Sequence, residues 1–431
     1  MTDEHRHDEE PVEQESKGRW SDKLLRPVPM AGIAVGLLLI VLLAVLYQLR
    51  RPDPKAAITP PKVTMEQNKA KRPFEEPQPP GVAEQVRLVD FALLEALKLE
   101  NIDFSKLQLT DVEVRKHNGH DYHYQTMVLP EPEDRATFLA HVREALDRRL
   151  SRAMIESNGT EAVVISVDTI PTHRISFPEE PEVLQLGDGA PDGPLLSVVI
   201  DDVGENMGLL RRLIALNVPV SFAVWPHSTH TDDSIRLINE SGLPLLLHFP
   251  MQPKGWPGTN PGEGAVFTNM TADQIRAVVK SNLELVPGAV GANNHMGSAF
   301  TEFHTGMKVV LKELHDRHLF FLDSRTTPRS AAKSEARKIG IPFYQRDVFI
   351  DNTKDVNAII LQLKKAERIA RKTGVAIAIG HPHPETVAAL EQWAAKLDGT
   401  VNIVPITQLR PDFQQSAKKR NETDGTAGYA Q

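Results

Sequence analysis

The 431-residue chain has no cysteine. That excludes disulfides, a thiolate nucleophile and cysteine-based zinc sites, and it leaves the redox compartment open. Positive charge is also short. The 49 Lys and Arg against 57 Asp and Glu give a formal net charge of −8, which argues against a nucleic-acid-binding body, so no nucleic-acid partner is expected. A third absence is local: Val28–Leu49 carries no charged side chain. A run of that length, rich in Leu, Val, Ala and Ile, spans a hydrocarbon core as a helix. Arg50 and Arg51 stand where a signal peptide would need small cleavage residues, so the segment reads as an uncleaved single-pass anchor.

The rest of the chain falls into zones. Residues 1–27 read as a disordered tail, and residues 50–81, rich in Pro and Lys, as a spacer. A small α+β domain is expected over 82–178. It holds a helix at Val86–Leu99, a hairpin at Asp111–Leu129 turning at Asn118-Gly119, a second helix at Asp134–Ala153 and a strand at Ala162–Val167. His117, His120 and His123 cluster around that hairpin and read as exposed turn histidines; no chemistry is assigned to the domain. A linker over 179–194 leads to a main domain over 195–410, with a disordered tail over 411–431.

From Leu195 short apolar strands alternate with amphipathic helices. Strands are expected at Leu195–Asp202, Val218–Trp225, Leu243–Phe249, Ala289–His295, Leu319–Asp323, Ile341–Tyr344, Val375–Gly380 and Val401–Val404. Such alternation makes right-handed βαβ units and a parallel sheet. This many units in one domain favour an α/β fold closed into a distorted (β/α) barrel of about seven to eight strands.

Barrel enzymes place chemistry at strand C-termini, and polar residues collect there. The first strand ends in Asp201 and Asp202, the second runs into Trp225, and the third ends in His248. The fourth carries Asn293, Asn294 and His295, the fifth Asp323 and Arg325. Arg346, Asp347 and Asp351 follow the sixth; His381 and His383 end the seventh. One Asp with two His is a ligand set for zinc or a related divalent ion, and Asp202, His248 and His295 are the candidates. A neighbouring acid can deprotonate water and a histidine across the site can protonate a leaving group. Trp225, Asn294, Arg325, Arg346 and His383 are the candidates for substrate contact.

The motifs VVIDDVG, HFPMQP, GANNHMGS, FFLDSRTT, RDVFIDN and AIAIGHPHPET, in that order, resemble the divergent branch of the polysaccharide deacetylases. The resemblance covers Leu195 to Leu409, about half the chain. It implies a distorted barrel, a divalent metal, and hydrolysis of N-acetyl groups on an envelope glycan such as peptidoglycan. It implies Asp201 as base, Asp202 and His248 as ligands, His381 as acid and Asp323 as the residue that orients it. The sequence departs from mainstream members at Gln252, which stands one helical turn after His248 where they have a second ligand histidine; His295 is expected to replace it. Their base-tethering arginine is also missing, and Arg325 or Arg346 is expected to substitute.

The reading is therefore a membrane-anchored, zinc-type deacetylase of N-acetylated glycan, single-pass in the inner membrane with periplasmic C-terminal domains. The alternative is an inactive barrel that binds glycan or a protein partner. A phosphohydrolase would need more basic groups near the site.

Overall fold

The structure, a computed structural model, describes residues 81–150, 152–158, 162–177 and 193–413. The expected anchor over 28–49, the spacer over 50–80, most of the 179–194 linker and the tails over 1–27 and 414–431 lie outside the described residues. Among the described residues no helix is long and apolar enough to cross a membrane.

The first part is a five-stranded sheet backed by two helices. Helix α1 (Val82–Leu99) buries Val86, Val89, Leu93 and Leu97, the three-and-four spacing of one helix face. Strands β1 (Gln108–His117) and β2 (His120–Val128) form the expected hairpin. Asn118 and Gly119 take φ of 49° and 79°, the left-handed pair of a tight turn whose twist matches the strands. Helix α2 (Arg135–Asp147) begins where Asp134 accepts the Ala136 N–H at 3.0 Å. It stops short of the expected end, because Ala153–Asn158 is strand β3, paired with β4 (Ala162–Val167).

Strand β5 (Ile170–Ser176) gave no sequence signal, for two reasons. The side chains it buries include Thr172 and His173, both fully enclosed, so hydrophobic alternation is missing. Its turn uses Asp168 and Thr169 at φ of 49° and 66° with no glycine. The sheet order is β1-β2-β5-β4-β3. Of the three hairpin histidines, His123 lies on β2 opposite Val114 and is half-buried, not an exposed turn residue.

The second part is a curled parallel sheet with helices outside. Its strands are β6 (Leu195–Val203), β7 (Val220–Val224), β8 (Leu245–Met251), β9 (Gly291–Met296), β10 (Phe320–Asp323), β11 (Phe343–Gln345), β12 (Val348–Phe349) and β13 (Val375–Gly380). The order is β11-β10-β9-β8-β7-β6-β13-β12. The two edges are consecutive in sequence. Arg346 N–H donates to Asp323 at 3.1 Å and Asp347 N–H to Ile377 at 2.8 Å, so the chain passes from one edge of the sheet to the other in one residue. The expected eighth strand is only β14 (Asn402–Ile403), which pairs with the base of β6 at Leu195 and Leu196 and adds no stave.

Both faces of these strands are buried, so they read as continuous apolar runs. One alternate set (Val198, Ile200, Phe222, Leu247, Phe321) packs under the helices. The other (Val199, Ala223, Leu246, Leu322, Ile377, Ile379) packs inside the curl with Ile406 and Leu409. Residues of the inner parity therefore reach the mouth of the curl at the strand C-termini.

A buried polar cluster ties the two sheets together. Asp90 of α1 bonds His173 of β5 at 2.9 Å, Gln125 of β2 at 2.7 Å and Gln362 at 3.1 Å. Gln362 belongs to α3 (Val356–Thr373), the helix preceding β13. Burial alone would raise the Asp90 carboxyl, but His173, Lys365 and Gln362 outweigh it and hold it below the usual range. Removing the carboxylate strands three buried partners. Asp90→Ala is expected to lose about 3 kcal/mol of unfolding free energy in urea titration, whereas a loss near zero would show that the cluster is not what joins the sheets.

Candidate active site

The site is assembled from the inner parity of the curled sheet, one layer above the apolar interior. Val199, Leu246 and Ile379 are followed two residues on by Asp201, His248 and His381. Asn293 and His295 share one face of β9 by the same alternation. Asp202 has the wrong parity, and the backbone corrects it. The β6–β7 register shifts between Ile200 and Val203, and Asp202 takes φ of 52°. A bulge with a non-glycine residue in the left-handed region is strained, and such strain gathers at functional sites. Its effect is that both carboxylates address one histidine. Asp202 Oδ1 is 2.9 Å from His248 Nε2, and Asp201 Oδ2 is 3.7 Å from His248 Nδ1.

Asp202, His248 and His295 form a tight triangle of donor atoms. Asp202 Oδ1 to His248 Nε2 is 2.9 Å, Asp202 Oδ1 to His295 Nδ1 is 3.0 Å, and His248 Nε2 to His295 Nδ1 is 3.0 Å. Two ligands about 2.1 Å from one ion stand about 3.0 Å apart at a right angle and about 3.4 Å apart at the tetrahedral angle. All three residues are buried. Both Asp202 oxygens lack a hydrogen-bond donor among the described residues, leaving a buried acceptor-only group that a cation satisfies. The donor set thus fits a divalent ion. Trp225, also of inner parity, stacks on the His295 ring at 4.8 Å and walls this side of the triangle.

Asn293 organises the other side. Its Nδ2 donates to Asp201 Oδ1 at 2.7 Å, which fixes the amide orientation and turns Oδ1 toward His248 Nδ1 at 2.8 Å. His248 therefore carries its proton on Nδ1 and presents the Nε2 lone pair to the triangle. Sequence reasoning left Asn293 without a role. The group that tethers Asp201 is this amide, and the signal for it was the shared parity of Asn293 and His295. The two arginines expected there are engaged elsewhere. Arg346 donates to the Ser324 carbonyl at 2.7 Å and lies over the Phe349 ring at 3.7 Å, while Arg325 pairs with Asp121 at 3.5 Å.

Asp351, not Asp323, holds His381. Asp351 Oδ1 accepts from His381 Nδ1 at 3.0 Å, and its other oxygen accepts the Thr386 hydroxyl at 2.8 Å. Asp323 shares the parity of Phe321, which packs toward the helices, and accepts the Arg325 N–H at 2.8 Å. Asp351 shares the inner parity of Phe349. Counting alternation would have distinguished the two acids. Asn294 is likewise of outer parity: it accepts the Ser324 N–H at 2.9 Å and donates to the Met296 carbonyl at 2.8 Å, so it braces two strand ends instead of facing substrate. His383 lies beside His381, ring centres 6.0 Å apart. Gln252 accepts the Thr268 N–H at 2.7 Å and its hydroxyl at 3.0 Å, which directs its amide oxygen to the following loop.

The charges divide the two adjacent acids. For Asp201, burial outweighs the opposing influence of His248, His381 and Asn293, and its carboxyl is raised. For Asp202, burial is outweighed by His295 and His248, and its carboxyl is held far below the usual range. Burial works against charge on His248, but Asp201 and Asp202 prevail and raise it. The same negative field attracts a metal cation. Full-length protein is therefore expected to bind about one divalent ion and to melt several degrees lower after chelation, since an ion at a hundred times its Kd adds about 2.7 kcal/mol. Asp202→Asn and His295→Ala should abolish that response; a wild-type melting temperature indifferent to chelator and to added zinc would exclude the site.

Residues 198–410 match the family described as divergent polysaccharide deacetylase. The uncharacterised protein YibQ of Escherichia coli K12 is 34% identical over 229 residues, spanning 52% of this chain and 71% of that protein. An uncharacterised Haemophilus influenzae protein is 34% identical over 214 residues, spanning 50% of this chain and 76% of its own. Among solved structures, protein ATU2773 of Agrobacterium tumefaciens C58 is 24% identical, covering 52% of this chain and 91% of that one with a TM-score of 0.47. The catalytic domain of a peptidoglycan N-acetylglucosamine deacetylase from Eubacterium rectale is 16% identical, covering 54% and 97% with a TM-score of 0.33. By the family match over residues 198–410 and the two relatives at 34% identity, the chain belongs to the divergent polysaccharide deacetylase family.

Proposed function

We propose that the protein is a metal-dependent deacetylase that hydrolyses N-acetyl groups on a cell-envelope glycan, peptidoglycan or a related polymer. The observation that carries this reading is the separation of roles in one buried mouth. A three-donor ligand set stands beside a carboxylate of raised pKa, and an imidazole–carboxylate pair completes the group. When bound at Asp202, His248 and His295, a divalent ion, with zinc matching the donors best, supplies Lewis-acid polarisation and a more acidic water.

The chain's own residues handle the protons. Asp201, positioned by the Asn293 amide, takes the proton from the water whose oxygen bonds to the acetyl carbonyl carbon. As the C–N bond breaks, His381 delivers a proton to the leaving nitrogen from the ring atom that Asp351 does not hold. Acetate and a free amine result. Asp351 keeps the imidazole in one orientation and stabilises its charged form, the work an acid partner does for histidine elsewhere.

The sequence supports a placement for this chemistry. Residues 28–49 anchor the chain in the inner membrane, 50–81 act as a spacer, and the folded part works on the periplasmic side. Protease added to intact cells should leave the folded part whole and should cut it once the outer membrane is permeabilised; protection in both conditions would argue for the cytoplasm. Acetate release from N-acetylglucosamine oligomers tests the activity itself. Asp201→Asn and His381→Ala are expected to lower kcat by about 10²–10⁴-fold with metal still bound. Glycan binding by the metal-loaded wild type with no acetate released would overturn the enzyme reading in favour of a glycan-binding barrel.

A further inference from the structure

A cavity of about 690 Å³ lies between the β1–β2 hairpin and the ends of β10 to β12. Arg325, Arg346 and Phe349 form its barrel wall, and His123 and Asp121 its hairpin wall. It adjoins the catalytic group through a single ring, because Phe349 stacks at 6.1 Å on His381. The cavity is built from both sheets, so the small domain is part of it.

Its charge is uneven. Of the acids that line it, Glu84 pairs with Arg87, Asp121 with Arg325 and Asp168 with Arg152, while Asp347 accepts the Ile377 N–H at 2.8 Å. Lys365 of α3 is different. It is only 6% exposed and lines the cavity, yet among the described residues its ammonium makes no hydrogen bond or ion pair. Asp90 acts on it through space, but accepts its hydrogen bonds from Gln125, His173 and Gln362. A buried ammonium without a partner is costly unless something in the cavity supplies one. His123 stands in the same cluster. Its imidazole is held well below the ordinary histidine range by burial first, then by Lys365, Arg346 and Arg325.

We propose that this cavity is an anion subsite in which Lys365, Arg325, Arg346 and His123 receive a carboxylate or phosphate group of the substrate glycan. The inference deepens the deacetylase reading and rests on it for the identity of the ligand as a glycan. The subsite makes the small domain a specificity element: a neutral N-acetylated oligomer fills the metal mouth only, whereas an anionic one also engages the hairpin.

The probes are inorganic phosphate, N-acetylmuramic acid as a carboxylate sugar and N-acetylglucosamine as a neutral one, titrated calorimetrically into full-length protein. Phosphate is expected to bind saturably, at least tenfold more weakly to Lys365→Met and to Arg325→Gln, with each variant checked for folding by circular dichroism. Asp202→Asn, which removes a metal ligand, should leave phosphate binding in place. Competition by N-acetylmuramic acid but not by N-acetylglucosamine supports a carboxylate-bearing glycan, and phosphate binding without that competition supports a phosphate-bearing one. No saturable binding of either anion, binding unchanged in both folded variants, or binding lost in Asp202→Asn would overturn the subsite. The last outcome would place the anion on the metal. Failure of the deacetylase reading is registered separately by the acetate assay, which this titration does not use.

Discussion

The site depends on one backbone irregularity, the bulge at Asp201–Asp202. On a regular strand adjacent side chains face opposite ways, and one acid would be lost to the helix side. The left-handed Asp202 undoes that alternation, so a single strand end delivers two carboxylates to His248. Their unequal surroundings then separate their roles. Asp202 lies between two imidazoles and stays charged. Asp201 faces an amide and is easier to protonate. Closeness in sequence provides the pair, and the bulge makes it useful.

The curled sheet supplies everything else from the same layer. His248, Asn293, His295 and His381 all sit on the inner parity above an apolar interior of Val199, Leu246, Leu322 and Ile379. That interior is close-packed, so the polar layer on β8 and β9 rests on a rigid floor, while His381, just beyond β13, is held by Asp351. Asn293 is the hinge of this layer. Its amide oxygen sets the His248 tautomer and its amide nitrogen holds Asp201, coupling the donor triangle to Asp201 through one side chain. An arginine would have brought a second charge to Asp201; the amide supplies the hydrogen bond without one, consistent with the raised carboxyl.

The small sheet belongs to the same compact unit. Asp90, His173, Gln125 and Gln362 bond across α1, β2, β5 and α3, and all four are buried in the seam. A buried polar cluster of this kind fixes orientation better than an apolar seam, which tolerates sliding. The orientation it fixes brings the β1–β2 hairpin to the mouth of the curl, where Asp121 meets Arg325.

Local pattern carried most of the fold. The alternation of apolar runs and amphipathic helices from Leu195 determined the parallel α/β sheet, and Asn118-Gly119 determined the hairpin, because both depend on neighbours a few residues apart. The ordered motifs ending at Asp202, His248 and His295 determined the candidate ligand set. Strand β5 was hidden because the residues it buries are polar and their partners are distant, and β12 because it is two residues long. Choosing Asp351 over Asp323, and finding Asn293, required knowing which alternate face each strand turns inward. The bulge at Asp202, the edge switch at Arg346 and Asp347, and the ammonium of Lys365, unpartnered among the described residues, belong to the tertiary structure alone. Each arises where segments far apart in sequence are forced into contact by a sheet curling on itself, a constraint absent from any short window of the chain.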